Sequence, residues 1–351
     1  MLSLASNEWQ SVTSSRTGVI RNRRSQQGLL RIARERPPKL IKLNVMRRNS
    51  LSPRRSKADR EVAVLHSQAR RLASRGRYRT ATARYRRALQ LVENGHARDL
   101  FLLATLLNDF GVLCKFMGRF NLAERMYRRA LKLLSKKPTN YKESLATLFH
   151  NLGGLQHARG RYGLALRLAR RGLALRRSIR PCDKSALIGD EAALAVILTD
   201  LGHTGEAADI YRRVLRHYRR GVKRRMGSQH ESNLYELGST MANLGASYAK
   251  TARLAAANRN LRQAVSLLER ALGKNHPRLV AALNNLAVVC ARRGNFQEAE
   301  ASCRRALRLV EMQPGRTYPA ASVLRQNYRK LHLQVHAGPV RVDALRREAG
   351  N

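Results

Sequence analysis

The 351-residue chain is poor in the residues from which catalytic centres and covalent frameworks are built. Its 4 cysteines, Cys114, Cys182, Cys290 and Cys303, show no CxxC spacing and no accompanying histidine set, which argues against a zinc ribbon or a disulfide scaffold and suits a reducing compartment. Aromatic residues are only 5% of the chain, so the ring platforms on which single-stranded nucleic acids stack are missing. The longest uncharged apolar runs, LFLLATLL and AALAVILT, fall far short of the ~20 residues that a membrane span needs, and no span is expected. The 10 histidines are scattered; His150 and His157 lie seven apart on one helix without an acidic partner at ligand spacing. No convergent nucleophile, base and oxyanion set can be assembled, so neither enzyme activity, nor a cofactor, nor a metal is expected.

Acidic residues are also scarce, 23 against 69 Lys and Arg, which leaves a net charge of +46. Such a charge attracts nucleic acid, an acidic protein or an anionic membrane surface, and it says nothing about fold. Arginine outnumbers lysine 56 to 13, a ratio that the codon bias of a GC-rich genome produces by itself.

What the chain has in abundance is repetition. Gly76, Gly118, Gly160, Gly202, Ala252 and Gly294 stand between paired apolar runs, with spacings of 42, 42, 42, 50 and 42. Two residues after each anchor comes a large side chain (Tyr78, Phe120, Tyr162, Leu254, Phe296), with Thr204 the exception. Five after it comes Ala81, Ala123, Ala165, Ala207, Ala257 or Ala299, and twelve after it a small or medium residue. Apolar residues recur at three and four on both sides, the buried stripe of an amphipathic helix. Glycine sits where one helix must stop and the next begin, because a left-handed backbone costs least there. Each unit is therefore predicted to be a helical hairpin, whose recurring small residues let antiparallel helices approach closely. Pro138, Pro181, Pro277, Pro314 and Pro319 all fall between units. Cys114 and Cys290 share one repeat position and Cys303 replaces an aromatic residue, which makes all three core fillers.

This Gly, aromatic, Ala, Ala-Leu series resembles the tetratricopeptide repeat, and the 42-residue period with the linker LGKNHPRLVAALNNLA resembles the kinesin-light-chain subtype. The resemblance implies an all-α fold, a right-handed α-solenoid of about six hairpins and a C-terminal capping helix. Three regions are expected: a basic disordered tail over 1–58, read from its composition and lack of period, the solenoid over 59–336 with an insertion near 219–230, and a C-terminal tail over 337–351. The tail carries 14 Arg or Lys against Glu8 and Glu35, and it also has the composition of a mitochondrial presequence. A cytoplasmic location is the first expectation, an organelle the second.

For function, the resemblance implies a non-catalytic adaptor that holds a peptide segment of a partner protein in a concave groove. Nine residues before their anchors stand Asp109, Asn151, Asn243 and Asn285, with Asn327 in the matching place of the last helix. A carboxamide offers a donor and an acceptor, so a ladder of them can hold the backbone of an extended peptide whatever its sequence. The plainer alternative is that these residues tolerate a half-exposed position or orient a neighbouring helix. Asn108 and Asn284, one residue earlier, and the cations Lys115, Lys250 and Arg292 would line the same groove and favour an acidic segment.

Arginine doublets (Arg86-Arg87, Arg128-Arg129, Arg170-Arg171, Arg212-Arg213, Arg304-Arg305) recur on the second helices, on the outer face. The densest patch, RRVLRHYRRGVKRR, comprises Arg212, Arg213, Arg216, Arg219, Arg220, Lys223, Arg224 and Arg225. A stripe of this kind can follow a phosphate backbone, so RNA, DNA or another polyanion is the alternative partner.

Overall fold

The structure is a computed structural model that describes residues 57–74, 77–94, 99–223, 227–312 and 321–336. Residues 1–56 of the expected basic tail, and all of the expected C-terminal tail, lie outside the described residues. The described residues form thirteen α-helices and no strand: α1 (Lys57–Ser74), α2 (Tyr78–Glu93), α3 (Leu100–Phe116), α4 (Phe120–Leu134), α5 (Lys142–Ala158), α6 (Tyr162–Arg177), α7 (Lys184–Asp200), α8 (Thr204–Lys223), α9 (Gly227–Lys250), α10 (Leu254–Leu272), α11 (Val280–Arg292), α12 (Phe296–Glu311) and α13 (Ala321–His336). They belong to two compact units, one ending at Ile197 and the other beginning at Leu198, within α7.

In the first unit α1 packs on α2, α3 on α4 and α5 on α6, while α3 also touches α1, α2 and α5. Surrounded in this way, α3 has no need of a polar face. Its LFLLATLLNDFGVLCKF sequence buries Leu103, Leu106, Leu107, Phe110 and Leu113, each such side chain contributing about 1.5–3 kcal/mol. The run that is too short for a membrane is the core helix of a stack. Among the described residues no helix is long and apolar enough to cross a bilayer. Helix α3 begins at Asp99, whose carboxylate accepts the backbone N–H groups of Phe101 and Leu102 at 3.0 Å each, relieving two of the unpaired donors of the first turn.

The second helices are amphipathic. Each presents one stripe to its partner and keeps arginines outside: Tyr85, Tyr127 and Ala130 are fully buried, whereas Arg86, Arg87, Arg128 and Arg129 are exposed. The small first-helix residues meet the second helix at close range. A Cβ on Gly111 would lie 2.6 Å from Cε1 of Tyr127, and one on Gly153 would lie 3.3 Å from the backbone N of Ala169. In the second unit α9 packs on α8 and α10, α11 on α10 and α12, and α13 on α12.

The hairpin turns close as the anchors predict. Gly118, Gly160, Gly202 and Gly294 have φ of 75°, 75°, 88° and 80°, and Ala252 takes the same left-handed region at 56°. At each turn the residue after the anchor donates its N–H to a carbonyl five residues back (Arg119 to Cys114, Arg161 to Gln156, His203 to Leu198, Arg253 to Tyr248, Asn295 to Cys290), at 2.8 to 3.0 Å. This bond satisfies a carbonyl that the helix end would leave without a partner. The extra residues of the fourth-to-fifth junction lengthen helices instead of making one long loop. Helices α8 and α9 have 20 and 24 residues, where α4 and α5 have 15 and 17, although 224–226 lie outside the described residues.

Candidate functional site

Within each unit first helices of successive repeats lie side by side, α1 with α3, α3 with α5 and α9 with α11, and polar residues singled out in the sequence meet along such contacts. Asn151 donates Nδ2–H to Asn108 Oδ1 at 2.7 Å, and Asn327 donates to Asn284 Oδ1 at 3.4 Å; both pairs are 43 residues apart. His66 Nε2 stands 2.8 Å from Asp109 Oδ2, again 43 residues away, and Asn108 Nδ2 donates to the other Asp109 oxygen at 3.2 Å. These three cross-repeat pairs share one register: the residue ten before an anchor bonds to the residue nine before the next, or to Asn327 in the matching place of the last helix. These side chains are buried, with Asn108, Asp109, Asn151, Asn284 and Asn327 all less than a tenth exposed. For Asn151 and Asn327 the carboxamide thus serves contact between neighbouring repeats.

Asn243 and Asn285 differ. The position that would face Asn285 from the preceding repeat is Ala242, which has no side-chain polar group. Among the described residues Asn243, half-buried, and Asn285, 6% exposed, make no side-chain hydrogen bond, and Nδ2 of the neighbouring Asn284 also lacks a partner. The three lie in the second unit, on α9 and α11, with Asn284 and Asn285 adjacent in the chain. Of these three, Asn284 Nδ2 is held away from water, and leaving it unpaired costs about 1–3 kcal/mol, which a ligand able to bond it would recover.

The cations expected to line a groove are engaged across repeats. Lys250 Nζ bonds Asp200 Oδ1 at 2.8 Å, and Arg292 Nη1 donates to the Ala249 carbonyl at 2.7 Å. Lys115 is half-buried, its Nζ close to Gly154 of the next first helix.

Outside, the arginine stripe is partly neutralised. Arg129 meets Glu93 and Arg305 meets Glu269, an identical offset in two hairpin pairs; Arg262 meets Glu298, Arg128 meets Glu124, and Arg304 meets Glu300. On α8 the balance is different. Arg212, Arg213, Arg216, Arg219, Arg220 and Lys223 are exposed, Arg212 pairs with Asp209, and no described acid bridges Arg216, Arg219, Arg220 or Lys223. Arg224 and Arg225 lie outside the described residues.

Two buried carboxylates organise polar clusters. Asp190 receives Arg176 on one oxygen and, at 2.8 Å, His150 on the other; burial pushes its carboxyl up, but the His150 bond and the Arg176 charge outweigh this and hold it below the ordinary range. Glu300 receives His332 Nδ1 at 3.0 Å, His336 Nε2 at 3.3 Å and Arg304 at 2.6 Å, and these partners overcome burial to bring its carboxyl down to about 2. The sequence reading passed over His332 and His336. Their spacing of four was a signal, but the acid that completes the group comes from α12, 32 residues before His332.

Three of the thiols, Cys114, Cys290 and Cys303, are buried and show no activation. Burial raises Cys114 to about 11 and both Cys290 and Cys303 to about 12, and all three side chains fill core positions.

Comparison with known proteins bears on the fold. The apo form of the quorum sensor NprR from B. thuringiensis is 14% identical with a TM-score of 0.59, over 81% of this chain and 73% of that one. The Rap protein complexed with competence and sporulation factor is 12% identical with a TM-score of 0.53, over 79% and 72%. BtubC (BKLC) from P. vanneervenii is 20% identical with a TM-score of 0.48, over 66% and 91%. No curated protein matches the sequence. The family model for the tetratricopeptide repeat matches residues 60–136, 102–178 and 236–328, more than half of the chain, and the protein belongs to that family.

Proposed function

We propose that the chain is a non-catalytic scaffold that binds an extended segment of a partner protein on the first-helix face of its second unit. The observation that carries this reading is the group formed by Asn243, Asn285 and Asn284 Nδ2, amides without an internal partner on a face where equivalent amides bond to each other. A peptide backbone supplies both the donor and the acceptor that such amides need, at positions independent of side chains. An acidic segment is favoured by the net charge of +46, since Lys250 is itself paired with Asp200. The structure of NprR in complex with its cognate peptide NprX, and that of Rap with its factor, give the same fold class a peptide ligand. Four free cysteines fit a reducing, cytoplasmic setting.

The test is affinity purification with mass spectrometry at ~0.15 M salt after nuclease treatment, comparing wild type with Asn243→Ala/Asn285→Ala. The double variant should lose the partner while keeping its unfolding midpoint. Asn151→Ala is the control: it leaves Asn108 Oδ1 without its bond and should lower stability by about 1–3 kcal/mol while keeping the partner. Retention of the partner by the double variant would exclude the reading.

A second reading has its own observation, the four cations of α8 that no described acid bridges. It makes α8 a polyanion-binding ridge. Binding of labelled RNA at ~0.15 M salt, with a steep salt slope that flattens in Arg216→Ala/Arg219→Ala/Arg220→Ala, is its expected signature.

A further inference from the structure

His66 and His150 each face one carboxylate alongside an arginine: Arg70 at Asp109 and Arg176 at Asp190. The group at the end of the second unit is built differently. His332 and His336 are four residues apart on α13, so both rings lie on one face, one turn apart. Their ring centroids are 4.4 Å apart, and each directs a nitrogen at a different oxygen of Glu300, which comes from α12 and is only 3% exposed. We propose that Glu300, His332 and His336 form a binding site for one divalent transition-metal ion of the zinc class.

The geometry suits such an ion. The three donor atoms lie within 4.8 Å of one another, and the nitrogen–oxygen separations are 3.0 and 3.3 Å. Ligands at about 2.0–2.2 Å from a shared ion, at tetrahedral or right angles to each other, are separated by roughly 3–3.5 Å. Little rearrangement is therefore needed to replace the present hydrogen bonds by coordination. Two imidazoles and one carboxylate select zinc, nickel or copper over magnesium and calcium, which take oxygen sets. Both histidines are exposed, so the remaining coordination positions open to water, as in sites that keep an open position. Arg304 is the competing cation on Glu300, 2.6 Å from Oε1. It reaches from one turn along the same helix with its side chain 48% exposed, and it can turn to solvent when the ion replaces its charge. Occupancy would join α13 to α12 through the ion.

The experiment uses the untagged full chain, stripped with a chelator and exchanged into metal-free buffer. Zinc chloride is titrated by isothermal calorimetry, and the unfolding midpoint is followed with zinc and with magnesium. One zinc ion per chain is expected to bind and to raise the midpoint, with no shift from magnesium. His332→Ala and His336→Ala should each weaken binding roughly tenfold or more, since even groups that only support a ligand are worth about 10–100-fold. Both are surface positions, so the variants test the site even if Glu300→Gln does not fold. His203→Ala, in a turn away from the cluster, should bind as wild type does. Absence of zinc binding, unchanged binding in the His332→Ala/His336→Ala double variant, or an equal loss in His203→Ala would overturn the site.

Discussion

Exchanging the residues at two hairpin turns isolates the backbone contribution to this fold. Ala252 adopts φ of 56° where the other described anchors are glycine, and its methyl group is exposed, so Ala252→Gly removes strain without removing packing. Gly294 has φ of 80°, and a Cβ built on it meets nothing within 4 Å, so Gly294→Ala adds strain without adding a clash. A left-handed alanine costs about 1–2 kcal/mol relative to its preferred conformations. The freer unfolded chain of glycine offsets about 0.4–1 kcal/mol of that. The expected net effects are a gain of about 0.5–1 kcal/mol for Ala252→Gly and a similar loss for Gly294→Ala. At about 2–4 °C per kcal/mol for a unit of this size, the unfolding midpoints should move by roughly 1–4 °C in opposite directions. Circular dichroism melts of the two variants and of the double exchange provide the assay. A higher midpoint for Gly294→Ala, or a lower one for Ala252→Gly, would show that the turn is not limited by backbone strain.

Arg176→Met should be far more damaging than loss of an exposed pair, since it strands the buried Asp190 with His150 alone; about 3–5 kcal/mol is expected in urea denaturation, against less than ~1 kcal/mol for Arg129→Ala. The Asp190 carboxyl titrates below its ordinary 3.8 in the folded state, so its contribution is complete above that value and disappears as the pH falls through the lowered one. Acidification from neutrality to below about 3.8 should therefore narrow the stability difference between wild type and Asp190→Asn, and a constant difference would contradict the assignment. Gly111→Ala should destabilise by about 1–3 kcal/mol, because its Cβ would sit 2.6 Å from the ring of the fully buried Tyr127; Gly163→Ala, with nothing within 4 Å, should instead gain about 0.5–1 kcal/mol in thermal melts.

The helices and their pairing were legible because each depends on neighbours in sequence. Anchor glycines, alanines five residues on and apolar residues at three and four are all local signals, and the bonds from Arg119 to Cys114 and its equivalents follow from them. The asparagine series was legible as a series but not as a set of bonds. Whether Asn151 is engaged depends on Asn108, 43 residues earlier, and whether Asn285 is engaged depends on Ala242, an offset that no single helix reveals. Burial was hidden for the same reason, because a polar residue gives no hydrophobic signal even where a neighbouring repeat covers it. The arginine stripe was visible, but its neutralisation was not: Arg129 and Arg305 meet acids contributed by the preceding second helix.

The offset bonds between first helices carry a consequence for how such a chain can be rebuilt. A stack held by apolar contact alone would tolerate shuffling, since one oily stripe fits another. In the first unit two successive junctions carry different keys: histidine against aspartate between α1 and α3, and asparagine against asparagine between α3 and α5. Deleting the α3–α4 hairpin would bring His66 opposite Asn151 and abolish both matches at once. These first hairpins are thus alike in outline but not interchangeable, and their order is written into the two junctions between them.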